Sequence, residues 1–175
     1  MNKDITIYYL EFTSPKELRP SRINDPKFRI NECTVKQYQY NRFLYEFIGS
    51  DWHWLDKSHD SSEKWQAYVN DANLRTFVAY YEGSIAGYYE LRKYDDGNVE
   101  ICYFGLAPDF IGKGFGGALL THAINSAFEW GASRVWVHTC TLDHKNALNN
   151  YLARGMKIYK TETKKNSLSK GEKIQ

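Results

Sequence analysis

Residues 106–117 read Leu-Ala-Pro-Asp-Phe-Ile-Gly-Lys-Gly-Phe-Gly-Gly, and this glycine-rich stretch lies between a strand pattern and an amphipathic helix pattern. At such a junction the unpaired amides of the first helical turn and the positive end of the helix dipole favour a bound phosphate. Glycines suit this role because a β-carbon would hold the ligand away from the amides. The alternative is a glycine-rich turn without a ligand.

Two other phosphate-binding motifs match this stretch less well. A Walker A loop requires glycine at Ala107 and serine or threonine at Gly114, so both positions fail and NTPase chemistry is not expected. Residues 112–117 satisfy G-x-G-x-x-G, but a dinucleotide-binding fold needs a parallel βαβ unit with an acidic residue at the end of its second strand. Here that strand ends His-Thr-Cys at 138–140, and the first strand belongs to an antiparallel meander.

The sequence around the glycines alternates strand and helix patterns. Runs of β-branched and aromatic residues predict strands over 4–12, 28–34, 75–81, 84–94, 99–106, 134–139 and 157–163. Apolar residues at helical spacing predict helices over 35–48, 61–69, from the glycine cluster to near 131, and over 146–154. Gly49 and Gly155 are expected to cap helices, and Glu82-Gly83 predicts a tight hairpin. This order indicates an α/β fold with a mixed sheet.

The pattern also predicts which side chains are buried. The apolar stripe of the first helix consists of Tyr40, Phe43, Leu44, Phe47 and Ile48. The uninterrupted run Val135-Trp136-Val137 is typical of a strand covered on both faces. We expect His59 and His122 to face solvent and His138 to be a core histidine.

Length and composition bound the remaining possibilities. A chain of 175 residues, 42% of them hydrophobic, predicts a single domain over 1–175, with a polar tail over 164–175. The 23 basic and 21 acidic residues are mixed along the chain, so nucleic acid is not an expected partner. Three widely spaced cysteines resemble neither a disulfide framework nor a metal site, and no metal is expected. The absence of a signal peptide and of a long apolar run favours a cytoplasmic protein without membrane contact.

Three motifs together resemble the GNAT superfamily of N-acetyltransferases. Its Q/R-x-x-G-x-G/A loop corresponds to 111–116, its aliphatic-x-Pro element to 106–108, and its Tyr-x-x-x-Gly-aromatic helix end to 151–156. The resemblance covers about 28–163, and further segments are similar to an uncharacterised bacterial branch. Ile111 and Met156 depart from the family pattern, and Ile111 removes one side-chain donor to the phosphates. Backbone donation survives both changes.

The resemblance implies a mostly antiparallel sheet of six to seven strands, about four flanking helices and a splayed, V-shaped cleft for acetyl-CoA. It implies Glu100 as the base and Tyr151 as the acid that protonates the departing thiolate. Residues implied to hold the cofactor are Leu106, Ala107, Ile111, Gly112, Lys113, Gly114, Phe115, Gly116, Gly117, His144 and Asn146. Residues expected in the acceptor pocket are Trp52, His53, Trp54 and Glu90, where carboxylates and rings would suit a cationic amine.

Three functions remain open at this point. The first is acetyl-CoA-dependent transfer to a primary amine of a small molecule, protein or peptide, by direct attack in a ternary complex. The second is an acyl-CoA sensor that has lost turnover, and the third is a nucleotide-binding oxidoreductase. A homodimer also stays open, because the strand over 4–12 could pair with its own sheet or with that of a partner.

Overall fold

The computed structural model describes residues 4–165, which form one seven-stranded sheet flanked by four helices. The strands are β1 (Ile5–Phe12), β2 (Phe28–Glu32), β3 (Leu74–Tyr81), β4 (Ser84–Lys93), β5 (Asn98–Leu106), β6 (Arg134–Cys140) and β7 (Lys157–Lys164). Their order is β2-β3-β4-β5-β6-β1-β7, and every neighbouring pair is antiparallel except β5 and β6. The predicted mixed, mostly antiparallel sheet is confirmed. Residues 166–175 of the predicted polar tail lie outside the described residues.

The N-terminal strand β1 lies inside the sheet, between β6 and β7. Leu10 is opposite Val137 on one side and Ile158 on the other. Ile7, Leu10 and Phe12 are completely buried. The sequence left open whether β1 pairs with its own sheet or with that of a partner. In the structure β1 pairs with its own sheet and uses both of its hydrogen-bonding edges.

The four helices cover the two faces of the sheet. They are α1 (Tyr38–Gly49), α2 (Ser62–Asn70), α3 (Phe115–Glu129) and α4 (Ala147–Arg154). The apolar side of α3 packs together with α4 on one face of the sheet, against Phe77 and Tyr89. Helix α1 packs on the other face of the sheet, against Val78 and Tyr88. Consecutive strand residues point to opposite faces, which explains this division. Within residues 4–165 every helix is too short or too polar to cross a lipid bilayer.

Several predicted burial patterns are wrong, and the first concerns α1. On α1, Leu44 and Ile48 are buried, but Phe43 and Phe47 are exposed and stack on each other with ring centroids 5.5 Å apart. Five apolar residues make a stripe wider than the contact that one short helix forms with a sheet.

The second error concerns β6, which alternates buried and half-buried residues and so is not covered equally on both faces. Val135 and Val137 face the core, and Trp136 is half-buried. The third error concerns His122, which does not face solvent. It is half-buried, and its Nδ1 lies 2.7 Å from the hydroxyl of Tyr89, so burial lowers the pKa of this histidine.

Gly49 ends α1, but it is not the left-handed cap that the sequence suggests. Its φ is −87°, and the left-handed residue is His53, after a short 3-10 turn. A β-carbon at Gly49 would lie 2.4 Å from the ring of Trp54 and 2.8 Å from its Cβ. The glycine is therefore needed for the close approach of Trp54 and not for the turn.

Gly49→Ala is expected to destabilise the protein. Alanine in a helix gains about 1 kcal/mol over glycine. Overpacking against the backbone-proximal atoms of Trp54 costs about 1–3 kcal/mol, so the expected net loss of stability reaches about 2 kcal/mol. Urea unfolding measures the difference, with Gln39→Ala on the exposed side of α1 as the control. A variant more stable than the wild type would contradict the packing role assigned to Gly49.

Candidate active site

The central strands β5 and β6 separate partway along their length. Their parallel register covers three pairs and ends at Glu100 opposite Trp136. From there β5 continues along β4 to Leu106, and β6 continues along β1 to Cys140. Cys102 of β5 forms a bulge, because Ile101 and Tyr103 pair with consecutive residues of β4 and leave Cys102 without a partner there. The bulge adds local twist where the strands diverge. The result is the predicted V-shaped cleft, with Glu100 at its apex.

The cleft opens into a cavity of about 1580 Å³. This volume exceeds the roughly 300–1,000 Å³ of a typical single-ligand pocket, so the cavity has room for two ligands. Many of the predicted site residues line it: Trp52, His53, Trp54, Glu100, Leu106, Ile111, Gly112, Gly116, His144, Asn146 and Tyr151. Residues far apart in sequence therefore meet at one cleft.

The glycine-rich loop has the backbone conformation expected of an anion site. Gly112 and Gly114 have φ of 77° and 86°, in the left-handed region that favours glycine, and a β-carbon at either would meet no atom within 4 Å. Among residues 4–165, the amides of 112–117 make no close hydrogen bond to a backbone carbonyl. Helix α3 begins at Phe115 with Gly114 as its N-cap. The loop thus presents free amides beside open space.

Other residues of this loop have packing roles. Phe115 is buried, with its ring 5.3 Å from Phe28, so only its backbone belongs to the loop surface. A β-carbon at Gly117 would lie 2.2 Å from Nη1 of Arg154, the movable end of a long side chain, and 3.0 Å from Cβ of Ser21, so Ser21 limits the space here. Lys113 is exposed and does not line the cavity.

The end of β5 offers one free amide to the cleft. Ala107 N–H donates to the carbonyl of Ala86 at 2.9 Å and is therefore not available to a ligand. Because amides alternate in direction along an antiparallel strand, the N–H of Leu106 points away from β4. The sequence predicts that the backbone of both Leu106 and Ala107 binds the ligand. For the amide of Ala107 this prediction is wrong, and Ala107 is also buried.

Glu100 is held from two sides at the apex. The hydroxyl of Tyr94 donates to its Oε2 at 2.5 Å, and Nδ1 of His138 lies 3.6 Å from its Oε1. Burial and the neighbouring carboxylate raise the pKa of Tyr94, so this tyrosine stays protonated and donates.

His138 is not the core histidine that the sequence suggests. Its side chain is 37% exposed and lines the cavity, and its ring lies 5.9 Å from that of Tyr9. Trp136 and His138 share one face of β6, and Trp136 is opposite Glu100. The two-residue period of the strand is the signal that could have placed His138 beside the catalytic candidate.

Tyr151 lies on α4 and lines the same cavity as Glu100. It is 5% exposed, and its ring lies 6.1 Å from that of Phe104. Burial, with a smaller contribution from Asp143, raises the pKa of its phenol. The hydroxyl therefore carries its proton at neutral pH.

Two cysteines also line the cavity, Cys102 on β5 and Cys140 on β6. Burial is the main cause that raises the pKa of both thiols, and the neighbouring Glu100 adds to the effect at Cys102. Because the thiolate is the nucleophilic form, neither cysteine is activated for attack.

The segment between α1 and α2 forms the outer wall of the cavity. The rings of Trp52 and His144 are 5.1 Å apart in an edge-to-face arrangement, and Trp54 packs 5.2 Å from Tyr103. Asp56, which the sequence did not single out, accepts hydrogen bonds from Tyr45 at 2.8 Å and from Tyr103. These contacts join the segment to α1 and β5.

Glu90 does not reach the cavity. It is 1% exposed and accepts hydrogen bonds from Tyr68 at 2.5 Å and from Asn41 at 2.7 Å. Burial raises the pKa of its carboxyl. The side chains that line the wall in its place are Tyr68 and Arg92, which lie 5.1 Å apart in a cation–π contact. The predicted acceptor carboxylate is thus absent from the lining, whereas the carboxylates of Asp56 and Asp60 do line the cavity.

Comparison with known proteins identifies the class. The profile of the GNAT acetyltransferase family matches residues 41–156, and the chain belongs to this family. The antiparallel pairing of β4 and β5 and this membership contradict the oxidoreductase alternative. Within residues 4–165, no group of three or more His, Cys, Asp or Glu side chains could hold a metal ion.

Individual relatives show how far the similarity extends. Uncharacterised N-acetyltransferases of Mycobacterium tuberculosis and Mycobacterium bovis are 33% identical over 103 residues, which is 59% of this chain and 65% of theirs. The match thus spans just under two thirds of the relatives' length.

Among solved structures, a GCN5-related N-acetyltransferase from Sphaerobacter thermophilus is similar with a TM-score of 0.70 at 15% identity, over 91% of this chain and 50% of that one. An aminoglycoside acetyltransferase from an uncultured soil sample is similar with a TM-score of 0.62 at 21% identity, over 74% and 88%. At these identities the likeness shows the fold alone.

Proposed function

We propose that this protein is an acetyl-CoA-dependent N-acetyltransferase that acetylates a primary amine of a small molecule, protein or peptide. The observation that carries this proposal is the cleft between β5 and β6, which opens at Glu100 and runs to the free amides of the glycine-rich loop. Membership of the GNAT family supports it.

The residues of the cleft fit acetyl-CoA. The amides of 112–117, at the N-terminus of α3, suit the pyrophosphate by hydrogen bonding and by the helix dipole. This fit does not require a basic side chain at Ile111. The free backbone edge of β5 near Leu106 suits the pantetheine arm, which would lie along it like an added strand. His144 and Asn146 line the same cavity, and we propose that they contact the amides of the pantetheine arm.

Each catalytic candidate has a separate task when the cleft is occupied. Acetyl-CoA supplies an acetyl group activated as a thioester. The N–H of Leu106 donates to the acyl oxygen as that oxygen gains negative charge. The negative charge of Glu100 draws the proton from the attacking amine, directly or through a proton-carrying group that lies between them. Tyr151, which is protonated at neutral pH, donates to the departing sulfur.

Direct attack by the amine in a ternary complex is supported by the two cavity cysteines. A two-step route would need a thiolate to accept the acetyl group first. Cys102 and Cys140 both have raised pKa values and stay protonated. The cavity of about 1580 Å³ has room for cofactor and acceptor together. We infer that both substrates bind before transfer.

The function is tested by measuring free CoA release from acetyl-CoA with a panel of amines: spermidine, sisomicin, a free amino acid and a lysine-containing peptide. Acceptor-dependent release with at least one amine is expected, together with thermal stabilisation by acetyl-CoA and none by NAD(P). Stabilisation by acetyl-CoA without release for any amine would contradict catalysis and favour the acyl-CoA sensor. Stabilisation by NAD(P) alone would contradict both.

A further inference from the structure

His138 and Glu100 face each other where the sheet divides. The parallel pairing ends at Glu100 opposite Trp136, and His138 is the next residue of β6 on the same face. The Nδ1 of His138 lies 3.6 Å from Oε1 of Glu100, and both side chains line the cavity. The fold thus places a carboxylate and an imidazole at the apex, one from each diverging strand.

The two groups differ in their access to the cavity. The side chain of Glu100 is 11% exposed, and its Oε2 already accepts the hydrogen bond from Tyr94. The side chain of His138 is 37% exposed. With Nδ1 turned towards the carboxylate, Nε2 is the ring nitrogen left for a substrate. An acceptor amine in the cavity therefore meets the imidazole more readily than the carboxylate.

We propose that His138 receives the proton of the attacking amine at Nε2, and that Glu100 orients the ring through Nδ1 and stabilises the imidazolium that forms. This inference rests on the proposed acetyltransferase function and assigns the base of that reaction to a pair of residues. The arrangement follows the logic of carboxylate–histidine pairs, in which the carboxylate fixes the tautomer and remains ionised.

The proton and the electrons balance in this step. The amine nitrogen bonds to the acetyl carbon, the bond from that carbon to sulfur breaks, and the electron pair leaves with sulfur. His138 takes the proton from nitrogen at Nε2 and keeps its Nδ1 proton towards Glu100. Tyr151 donates a proton to the sulfur, and solvent returns both residues to their starting states.

Charged and titratable groups from three neighbouring strands surround the pair. Tyr9 of β1 is opposite His138 in register, Lys160 of β7 lies 4.9 Å from the centre of the Tyr9 ring, and the Tyr9 hydroxyl donates to Glu162 at 3.0 Å. Arg92 of β4 is opposite Glu100 in register, and Tyr94, directly after β4, donates to Glu100. Lys160 and Glu162 form an ion pair with each other. Among residues 4–165, Glu100 is the carboxylate that lies within 4 Å of the imidazole.

The pH dependence of turnover tests this pairing. Imidazole is the side chain that ordinarily titrates between pH 5 and 8, whereas a carboxylate ordinarily titrates below pH 5. With spermidine or the fastest amine of the panel, kcat of the wild type is expected to rise between pH 5 and 8. His138→Gln is expected to lose this rise and to lower kcat by about 10²- to 10⁴-fold, with KM for acetyl-CoA unchanged.

Two further variants make the test decisive. His122→Asn removes a half-buried histidine outside the cavity and should keep the rise. His138→Asn repeats the substitution with a shorter amide, and thermal melting establishes that each variant is folded. A folded His138→Gln or His138→Asn that keeps the wild-type rise overturns the role of His138 and leaves the proposed function intact. A wild type that releases no CoA with any amine overturns the proposed function and this inference with it.

Discussion

Glu100→Gln is expected to lower kcat/KM for acetyl transfer by about 10²- to 10⁴-fold, the range for loss of a positioned acid–base group. Glutamine has nearly the same size, and its carbonyl oxygen can still accept the hydrogen bond that Tyr94 donates. The substitution therefore removes the negative charge at the apex and leaves the packing in place. Affinity for acetyl-CoA is expected to persist, because the free amides that suit the pyrophosphate belong to the loop over 112–117.

Glu32→Gln is the matched control for this variant. Glu32 is also a strand carboxylate held by a neighbour, since Arg75 donates to its oxygens at 2.6 and 2.8 Å, but it lies on the edge strand β2. Loss of this partly exposed pair costs about 1 kcal/mol or less. Initial rates with the amine panel and CoA affinity by calorimetry measure both variants. If Glu100→Gln keeps the wild-type kcat/KM, the carboxylate has no part in proton removal.

Local signals in the sequence predicted the elements of the fold well. Glu82-Gly83 forms the hairpin between β3 and β4, with φ of 49° and 86°, and Gly155 ends α4 in the left-handed conformation with φ of 101°. Both depend on the conformational preference of one or two residues. The position of β1 between β6 and β7 depends on pairing between strands more than 100 residues apart. No local pattern encodes that choice, so the sequence left it open.

The site was predicted less completely, because several of its residues lie on strands without a clear polar face. On β4, neighbouring Tyr88 and Tyr89 are both fully buried on opposite faces, so the pattern did not reveal which face Glu90 joins. The bulge at Cys102 also shifts the register between β4 and β5, which places Glu90 opposite Tyr103. Glu100 was found from its family position, whereas His138 depended on where two strands separate, and that point is set by tertiary structure.

Gly112→Val is expected to weaken CoA binding by about 10- to 10²-fold. A residue with a β-carbon pays about 1–2 kcal/mol in the left-handed conformation that Gly112 adopts with φ of 77°. The new side chain also fills the open space beside the loop amides, and one lost hydrogen bond to a charged group costs about 1.5–3 kcal/mol. The strain lowers folding stability, whereas the lost hydrogen bond lowers affinity by about 10- to 10²-fold, because each 1.4 kcal/mol is a tenfold change in affinity.

Gly83→Val separates backbone strain from loss of the ligand site. Gly83 has φ of 86°, and its β-carbon would likewise meet no atom within 4 Å, but it lies in the hairpin between β3 and β4 and does not line the cavity. Both variants should lose similar stability in urea unfolding, whereas calorimetry with CoA should show a weaker Kd for Gly112→Val alone. Equal Kd values would mean that the loop amides do not bind the pyrophosphate. Because Ile111 offers no side-chain donor, such a result would remove the main physical support for CoA binding at this loop.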